Sequence, residues 1–337
     1  MLLSSSSTPS TAEIKEEERT AYLEAIHPRN LRLNISGSAA LPTPTKSAWT
    51  NLSSGNILLE RYGMTEIGMA LSCGLDPSTR VDGSVGFPLP SVEIRLVDPD
   101  TKLTIPTDDY THSGEIQLRG PTIFKEYFRN PEATAKEFVD DESGDGKGKW
   151  FKTGDIALRY PPLPSSPSTP IQQWAQGPTY QILGRQSSDI IKTGGEKVSA
   201  LEVERELLSL PNVKEAAVVG VPSEKWGQKI VALVVLKDGA GIGGVVDGGK
   251  NGWTPLAMRR ALQGKLARYK IPHVLRVVGG IERNAMGKSK LFPSIPFFKV
   301  YNPFLKFIVV TNKTLIVNKK ELVKKHFPVE PEDDKSR

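Results

Sequence analysis

The run GRQSSDIIKTGGEKVSALEVE, from Gly184 to Glu204, is where the pattern of the chain changes. Upstream of it, from about Val81 to Tyr160, short β-rich runs (SVEIRLVD, GEIQLRG, KWFKTGD) follow at close spacing, divided by Gly, Pro and Asp turns. That spacing predicts a small sheet or barrel. Downstream, helices and strands alternate. Inside the run, Ser199 and Glu202 form an S-x-x-E capping box before a helix whose Val203, Leu207 and Leu210 share one face, stopped by Pro211. AAVVGV and IVALVVL read as apolar strands. Thr254-Pro255 caps a second helix with Met258, Leu262 and Leu266 on one stripe, and VLRVVG supplies a third strand. The expectation is an α+β unit of about 110 residues.

Working outward, residues 11–30 are polar with helical character up to His27-Pro28, and LRLNISGSAALP alternates like a buried strand entering a small-residue loop. The Pro/Ser-rich stretch from Pro161 reads as an exposed excursion between two strands.

Composition narrows the function classes. The chain has 337 residues, enough for two domains, and 38% hydrophobic with 24% charged residues describe a globular protein. One cysteine, Cys73, excludes an internal disulfide framework and a multi-cysteine metal site, and four scattered histidines show no ligand spacing. The net charge of +6 is local: Lys290, Lys299, Lys306 and Lys313 carry four of those charges within residues 289–316. A nucleic-acid partner is therefore not expected. The most apolar stretch, from Leu291, is broken by three prolines and two lysines, so no membrane span is expected, and MLLSSSSTPST has no basic n-region of a targeting segment.

Several turns carry chemistry. Tyr62-Gly63-Met64-Thr65-Glu66 sets a hydroxyl beside a carboxylate on a glycine turn; alone it reads equally well as a strand end with a solvated glutamate. Lys152-Thr153-Gly154-Asp155 places a carboxylate after a tight turn, and one carboxylate can accept both hydrogen bonds of a ribose diol. Gly184-Arg185, Lys192-Thr193-Gly194-Gly195 and Asn284-Ala285-Met286-Gly287-Lys288 follow in order. Each alone is an ordinary charged turn.

Together, SGSAALP (36–42), ERYGMTE (60–66), GEIQLRG (114–120), WFKTGD (150–155), the run from Gly184 and NAMGK (284–288) resemble the adenylate-forming acyl-CoA synthetase superfamily. The resemblance implies a carboxylate activated by ATP to an acyl-adenylate and captured by coenzyme A, with Mg²⁺ as companion of the nucleotide. It implies a fold of α/β and α+β parts. Residues 1–184 would be the C-terminal part of the large domain, with a β-rich subdomain at about 80–184. A hinge at 185–189, containing Ser187, Ser188 and Asp189, would lead to a small α+β domain at 190–328. By position, Gly37, Ser38, Ala39 and Ala40 resemble the loop against which adenine lies. Tyr62 and Gly63 belong to the nucleotide site, Thr65 to the α-phosphate and Glu66 to Mg²⁺. Asp155 would hold the ribose with Arg185 beside it. Gly194 and Gly195 resemble the loop used in thioester formation, and Lys288 the lysine that reaches the reacting carboxylate and α-phosphate.

Within the superfamily the chain looks most like the malonyl-CoA synthetases. A second substrate carboxylate needs a cation, and Arg61 and Arg80 are the candidates, each with a structural arginine as its alternative. Activation of medium- or long-chain fatty acids, an adenylate-binding or interaction remnant without catalysis, and loading of a carrier protein are the rival functions. The resemblance suggests mitochondria or cytosol. The family's Ser/Thr/Gly-rich phosphate loop has no match in the first 36 residues, so the chain resembles the C-terminal half to two-thirds of such an enzyme. Residues 289–316 interrupt the ending: joining Lys288 to Val317 gives NAMGKVNKKELVKKHFP, as in the family, and the insertion reads as translated non-coding sequence, with a basic-aromatic docking loop as its alternative.

Overall fold

The computed structural model describes residues 16–37, 41–162, 172–237 and 253–281. Helix α1 (Glu16–Ile26) precedes β1 (Ile35–Ser36), α2 (Thr43–Leu52), β2 (Leu59–Met64), β3 (Gly68–Ser72) and β4 (Phe87–Pro88). These four strands form one sheet in the order β1-β2-β3-β4, parallel at β1–β2 and antiparallel beyond. Then come β5 (Glu93–Val97), β6 (Gly114–Arg119), α3 (Pro131–Glu137), β7 (Phe138–Val139), β8 (Trp150–Tyr160) and β9 (Thr179–Arg185). They build a second sheet, β5-β6-β8-β7, with β9 also paired to β8. The predicted close run of short strands is this sheet. Its face and that of the first sheet share one core, in which Ile67, Ala70 and Leu71 meet Leu96, Ile116, Leu118, Phe151 and Ala157.

The third sheet is the predicted α+β unit. It contains β10 (Ile190–Thr193), β11 (Glu196–Ser199), β12 (Val213–Ser223), β13 (Gly227–Leu236) and β14 (Val274–Val277), with α4 (Ala200–Leu208) and α5 (Pro255–Leu262). Its order is β11-β10-β13-β12, and β14 lies parallel to β13. Because side chains alternate along a strand, Ile230, Ala232 and Val234 of β13 face the helices' Val203, Leu207, Met258 and Leu262, while Val231, Leu233 and Val235 join a second cluster with Ala217, Val219 and Ile281. Both faces of the central hairpin are buried. That is why these strands read as continuous apolar runs.

The caps form as expected on one side only. Ser199 Oγ accepts from the Glu202 N–H at 3.1 Å, and Thr254 Oγ1 from the Ala257 N–H at 3.2 Å. The Glu202 carboxylate does not complete the box; it takes Lys270 Nζ at 2.8 Å instead. Helix α4 ends at Leu208, before Pro211, with Ser209 as its C-cap, and α5 ends at Leu262, so Leu266 is buried beyond the helix rather than on it. The expected excursion after Pro161 does join two strands, β8 and β9, but its described end is not wholly exposed: Ala175 is buried and Gln172 Oε1 accepts the Leu75 N–H at 2.8 Å. Residues 163–171 of it, the insertion at 289–316 and Lys288 lie outside the described residues. Among the described residues no helix is long and apolar enough to cross a membrane.

Candidate nucleotide site

Strand β2 carries the first half of the site. Gly63 sits where the β2–β3 ladder shifts register, and a Cβ there would stand 2.1 Å from the carbonyl oxygen of Gly68. Only glycine fits. The chain then turns at Thr65 and Glu66, anchored by fully buried Ile67, whose N–H donates to the Met64 carbonyl at 3.2 Å. Thr65 is left exposed and Glu66 half-buried. Glu66 is not the freely solvated residue of the bland reading: Tyr127 donates its hydroxyl to Oε1 at 3.0 Å.

Asp155 provides the second half, with a correction to its expected setting. It lies not after a tight turn but in the middle of the long strand β8, where Gly154 takes a positive φ of 71° and the β8–β9 ladder shifts just beyond, between Ile156 and Ala157. The positive φ turns the carboxylate out of the regular pleat. Tyr62 donates to its Oδ2 at 2.7 Å, and Arg185, its register partner on β9, approaches Oδ1 with Nε at 3.1 Å. Burial lifts the Asp155 carboxyl above its ordinary range, against the opposing pull of the Tyr62 hydroxyl and the Arg185 charge. Burial and the adjacent carboxylate together push the Tyr62 phenol well up, so it stays a donor.

The remaining expected residues divide. Gly194 and Gly195 form the two-residue turn of the β10–β11 hairpin, with φ of 58° and 87°; the Trp226 ring lies 3.0 Å from where a Gly194 Cβ would be. The stretch 185–189 is a turn closed by Asp189, whose Oδ2 accepts the Arg185 N–H at 2.9 Å. Arg61 is exposed on β2, and its side chain lies 3.5 Å from where a Gly37 Cβ would be, which puts Gly37 at the same end of the sheet. Arg80 does not share that setting. Its guanidinium donates to the carbonyls of Ile57, Gly74 and Leu75, so its donors hold a loop together, as in its structural alternative. Ser38, Ala39, Ala40 and Lys288 lie outside the described residues.

Three features escaped the sequence. Buried Lys46 bonds Glu60 at 3.2 Å and Asp82 at 2.7 Å, fixing the strand that carries Arg61 and Tyr62. Tyr127 holds Glu66. Lys192 and Lys197, flanking the Gly194-Gly195 turn, pair with Asp100 at 3.0 and 2.8 Å and so tie the third sheet to the β5–β6 connection. The spacing of these partners along the chain gave no local signal for any of them.

Mg²⁺ fits this donor set in a limited way. Among the described residues no group of three or more His, Cys, Asp or Glu could hold a metal, and none of them makes a hydrogen bond to the Oε2 of Glu66. One free carboxylate oxygen suits an ion that keeps its waters and is otherwise held by substrate phosphates.

A strand-borne carboxylate held by a phenol and a guanidinium, beside a glycine turn bearing Thr and Glu, is set in the fold of adenylate-forming enzymes. ATP-bound MatB from Rhodopseudomonas palustris is 34% identical with a TM-score of 0.59 over 80% of this chain and 47% of that one. O-succinylbenzoate coenzyme A synthetase from Bacillus subtilis, with ATP and magnesium, is 28% identical with a TM-score of 0.58 over 81% and 48%. The chain belongs to the AMP-binding enzyme family, whose AMP-binding enzyme and C-terminal domain profiles match residues 2–128 and 202–288. Among curated relatives, a CoA ligase of Gibberella moniliformis is 55% identical over 78% of this chain and 43% of its own length. The mitochondrial malonate–CoA ligase ACSF3 of Homo sapiens is 40% identical over 79% and 43%. The chain thus spans under half the length of these relatives.

Proposed function

We propose that this chain is part of an ATP-dependent acid–thiol ligase that activates malonate or a related short dicarboxylate to its adenylate and passes the acyl group to coenzyme A. The observation that carries the reading is the convergence on Asp155: Tyr62 from β2 and Arg185 from β9 hold a buried carboxylate (7% exposed) that can accept both hydroxyls of a ribose. The same strand β2 presents Arg61 and leads into Thr65 and Glu66. Thr65 donates to the α-phosphate, Glu66 holds Mg²⁺, and Arg61 takes the second substrate carboxylate in this reading. Arg80 is left out of it, its donors being engaged. Gly37 to Ala40 would line the adenine, Gly194 and Gly195 the thioester step, and Lys288 the adenylation step. Mg²⁺, when bound, supplies charge neutralisation at the phosphates. The malonate–CoA ligases among the relatives support the substrate class, and their mitochondrial examples a mitochondrial place, with the cytoplasm as alternative.

Equilibrium binding of AMP to the full chain, followed by malonate-dependent pyrophosphate exchange, tests this. Wild type should bind AMP and Asp155→Ala should not. Equal binding by the two would overturn the assignment of Asp155. Binding without exchange would keep the nucleotide site and remove the catalytic part of the reading; exchange favouring long fatty acids over malonate would replace the substrate. In a protein with exchange activity, Arg61→Ala should lose malonate in preference to a monocarboxylate of similar length.

A further inference from the structure

Glu66 is gripped twice by one segment more than fifty residues downstream. The Phe124 N–H donates to the Glu66 carbonyl at 2.8 Å, and the Tyr127 hydroxyl donates to Glu66 Oε1 at 3.0 Å. The segment itself is held by its own contacts. Phe124 packs on Phe138 and Phe151 with ring centres 5.3 and 5.2 Å apart, and on the Tyr127 ring at 4.7 Å. The Tyr127 N–H is taken by Thr134 Oγ1 at 2.9 Å, and its carbonyl accepts from the Asn130 N–H at 3.0 Å. Asn130 in turn caps α3, accepting the Ala133 N–H on its side chain.

This arrangement matters because of where Glu66 sits. A glutamate has three side-chain torsions, and at a half-exposed turn it samples many rotamers unless something holds it. Tyr127 occupies one carboxylate oxygen, Oε1, and among the described residues no hydrogen bond is made to the other. We infer that Tyr127 is a positioning residue: its hydroxyl fixes the Glu66 carboxylate so that Oε2 is presented to the Mg²⁺ that accompanies ATP. Tyr127 touches neither metal nor nucleotide in this role. The inference rests on the reading of Glu66 given above and extends it to a residue outside the glycine turn.

The test is the magnesium dependence of ATP affinity in the full chain, taken as the ratio of dissociation constants with EDTA and with Mg²⁺. Tyr127→Phe keeps the ring and its stacking and removes only the hydroxyl. It should reduce that ratio by roughly five- to tenfold, as expected for loss of one ordinary hydrogen bond at a half-exposed site, and leave ATP affinity in EDTA unchanged. In a Glu66→Gln background the same substitution should have no further effect on the ratio. An unaltered ratio in Tyr127→Phe alongside a lowered one in Glu66→Gln overturns the inference and leaves Glu66 in place. A merely structural tyrosine would lower both affinities together with the melting temperature, which also overturns it. If Glu66→Gln itself leaves the ratio at the wild-type value, the metal reading of Glu66 fails and this inference fails with it. Thr134→Val, which frees the Tyr127 N–H without touching the hydroxyl, should shift the ratio in the same direction by a smaller factor.

Discussion

The two ends of the described chain bury different kinds of residue. Among the described residues from Ile190 onward only Thr193 and Ser199 are buried polar residues, whereas the two sheets before it bury Lys46, Glu60, Gln117, Arg119, Asp155 and Arg159 among others. The third sheet is held by hydrocarbon contact on both faces of its central hairpin. The first two are held partly by ionised groups in fixed pairs. Burying such groups is unfavourable unless each has a partner, so their presence marks the half of the molecule where geometry matters more than stability.

The comparison is most exposed at Lys46. Lys46→Met leaves Glu60 buried without its cation, and should destabilise the protein by about 3–5 kcal/mol in a denaturant titration. Burial already raises the Glu60 carboxyl, and the loss of Lys46 should raise it further, so the variant's deficit should shrink as pH falls and Glu60 takes up its proton. A deficit independent of pH would mean that packing, not charge pairing, holds β2. Leu233→Ala, in the apolar half, should cost about 2–4 kcal/mol with no pH dependence and without altering AMP affinity. If the nucleotide affinity falls as well, the two halves are not separable in the way described.

Smaller effects sharpen the contrast. The Asp155 carboxyl is raised, so between its ordinary value and its folded one the native state binds a proton that the unfolded state does not. This contribution therefore favours folding at the acid side and is lost as pH rises through the folded value. Ribose binding has the opposite sign, because it uses the carboxylate. Adenosine affinity should fall on acidification, starting above the pH at which a free aspartate protonates, and Asp155→Asn should flatten the profile while lowering affinity. Smallest of all, Asp100→Asn should speed hydrogen exchange in the Ile190–Ser199 hairpin by less than about twofold at low ionic strength, and not at all in molar salt. Lys197 and Lys192 hold the Asp100 carboxyl down at about 2, so in wild type the same loosening should come only as pH falls through that value.

Most of the apolar half could be read from the chain in order. Its helix caps, its two-glycine turn and its strands are local patterns, and corrections such as the end of α4 at Leu208 move a boundary without moving a side chain's face. The site was legible in a different sense: the motifs named residues, but not what holds them. Tyr62 and Asp155 are 93 positions apart, and Glu66 and Tyr127 are 61 apart. Lys46, on the short helix TPTKSAWTNL, reads as a solvated lysine until the fold brings Glu60 and Asp82 to it. Arg80 shows the converse. A lone arginine near a binding motif suggests a ligand, and only the positions of three backbone carbonyls reveal its occupation.

Asp155 and Arg185 are paired residues of one ladder, and Arg185 is the final residue of β9, after which the chain makes a four-residue turn into β10. Whatever presses on the Asp155 carboxylate is therefore felt one rung away, at the peptide from which the third sheet is suspended. Gln186 strengthens the joint by donating its N–H to the Gly154 carbonyl at 2.9 Å, so the residues on either side of the strand end are bolted to the residues on either side of the carboxylate. In mechanical language the site and the turn share a bearing: a load at one is borne by the other without any intervening linkage, and a guest that tightens Asp155 should also stiffen the turn after Arg185.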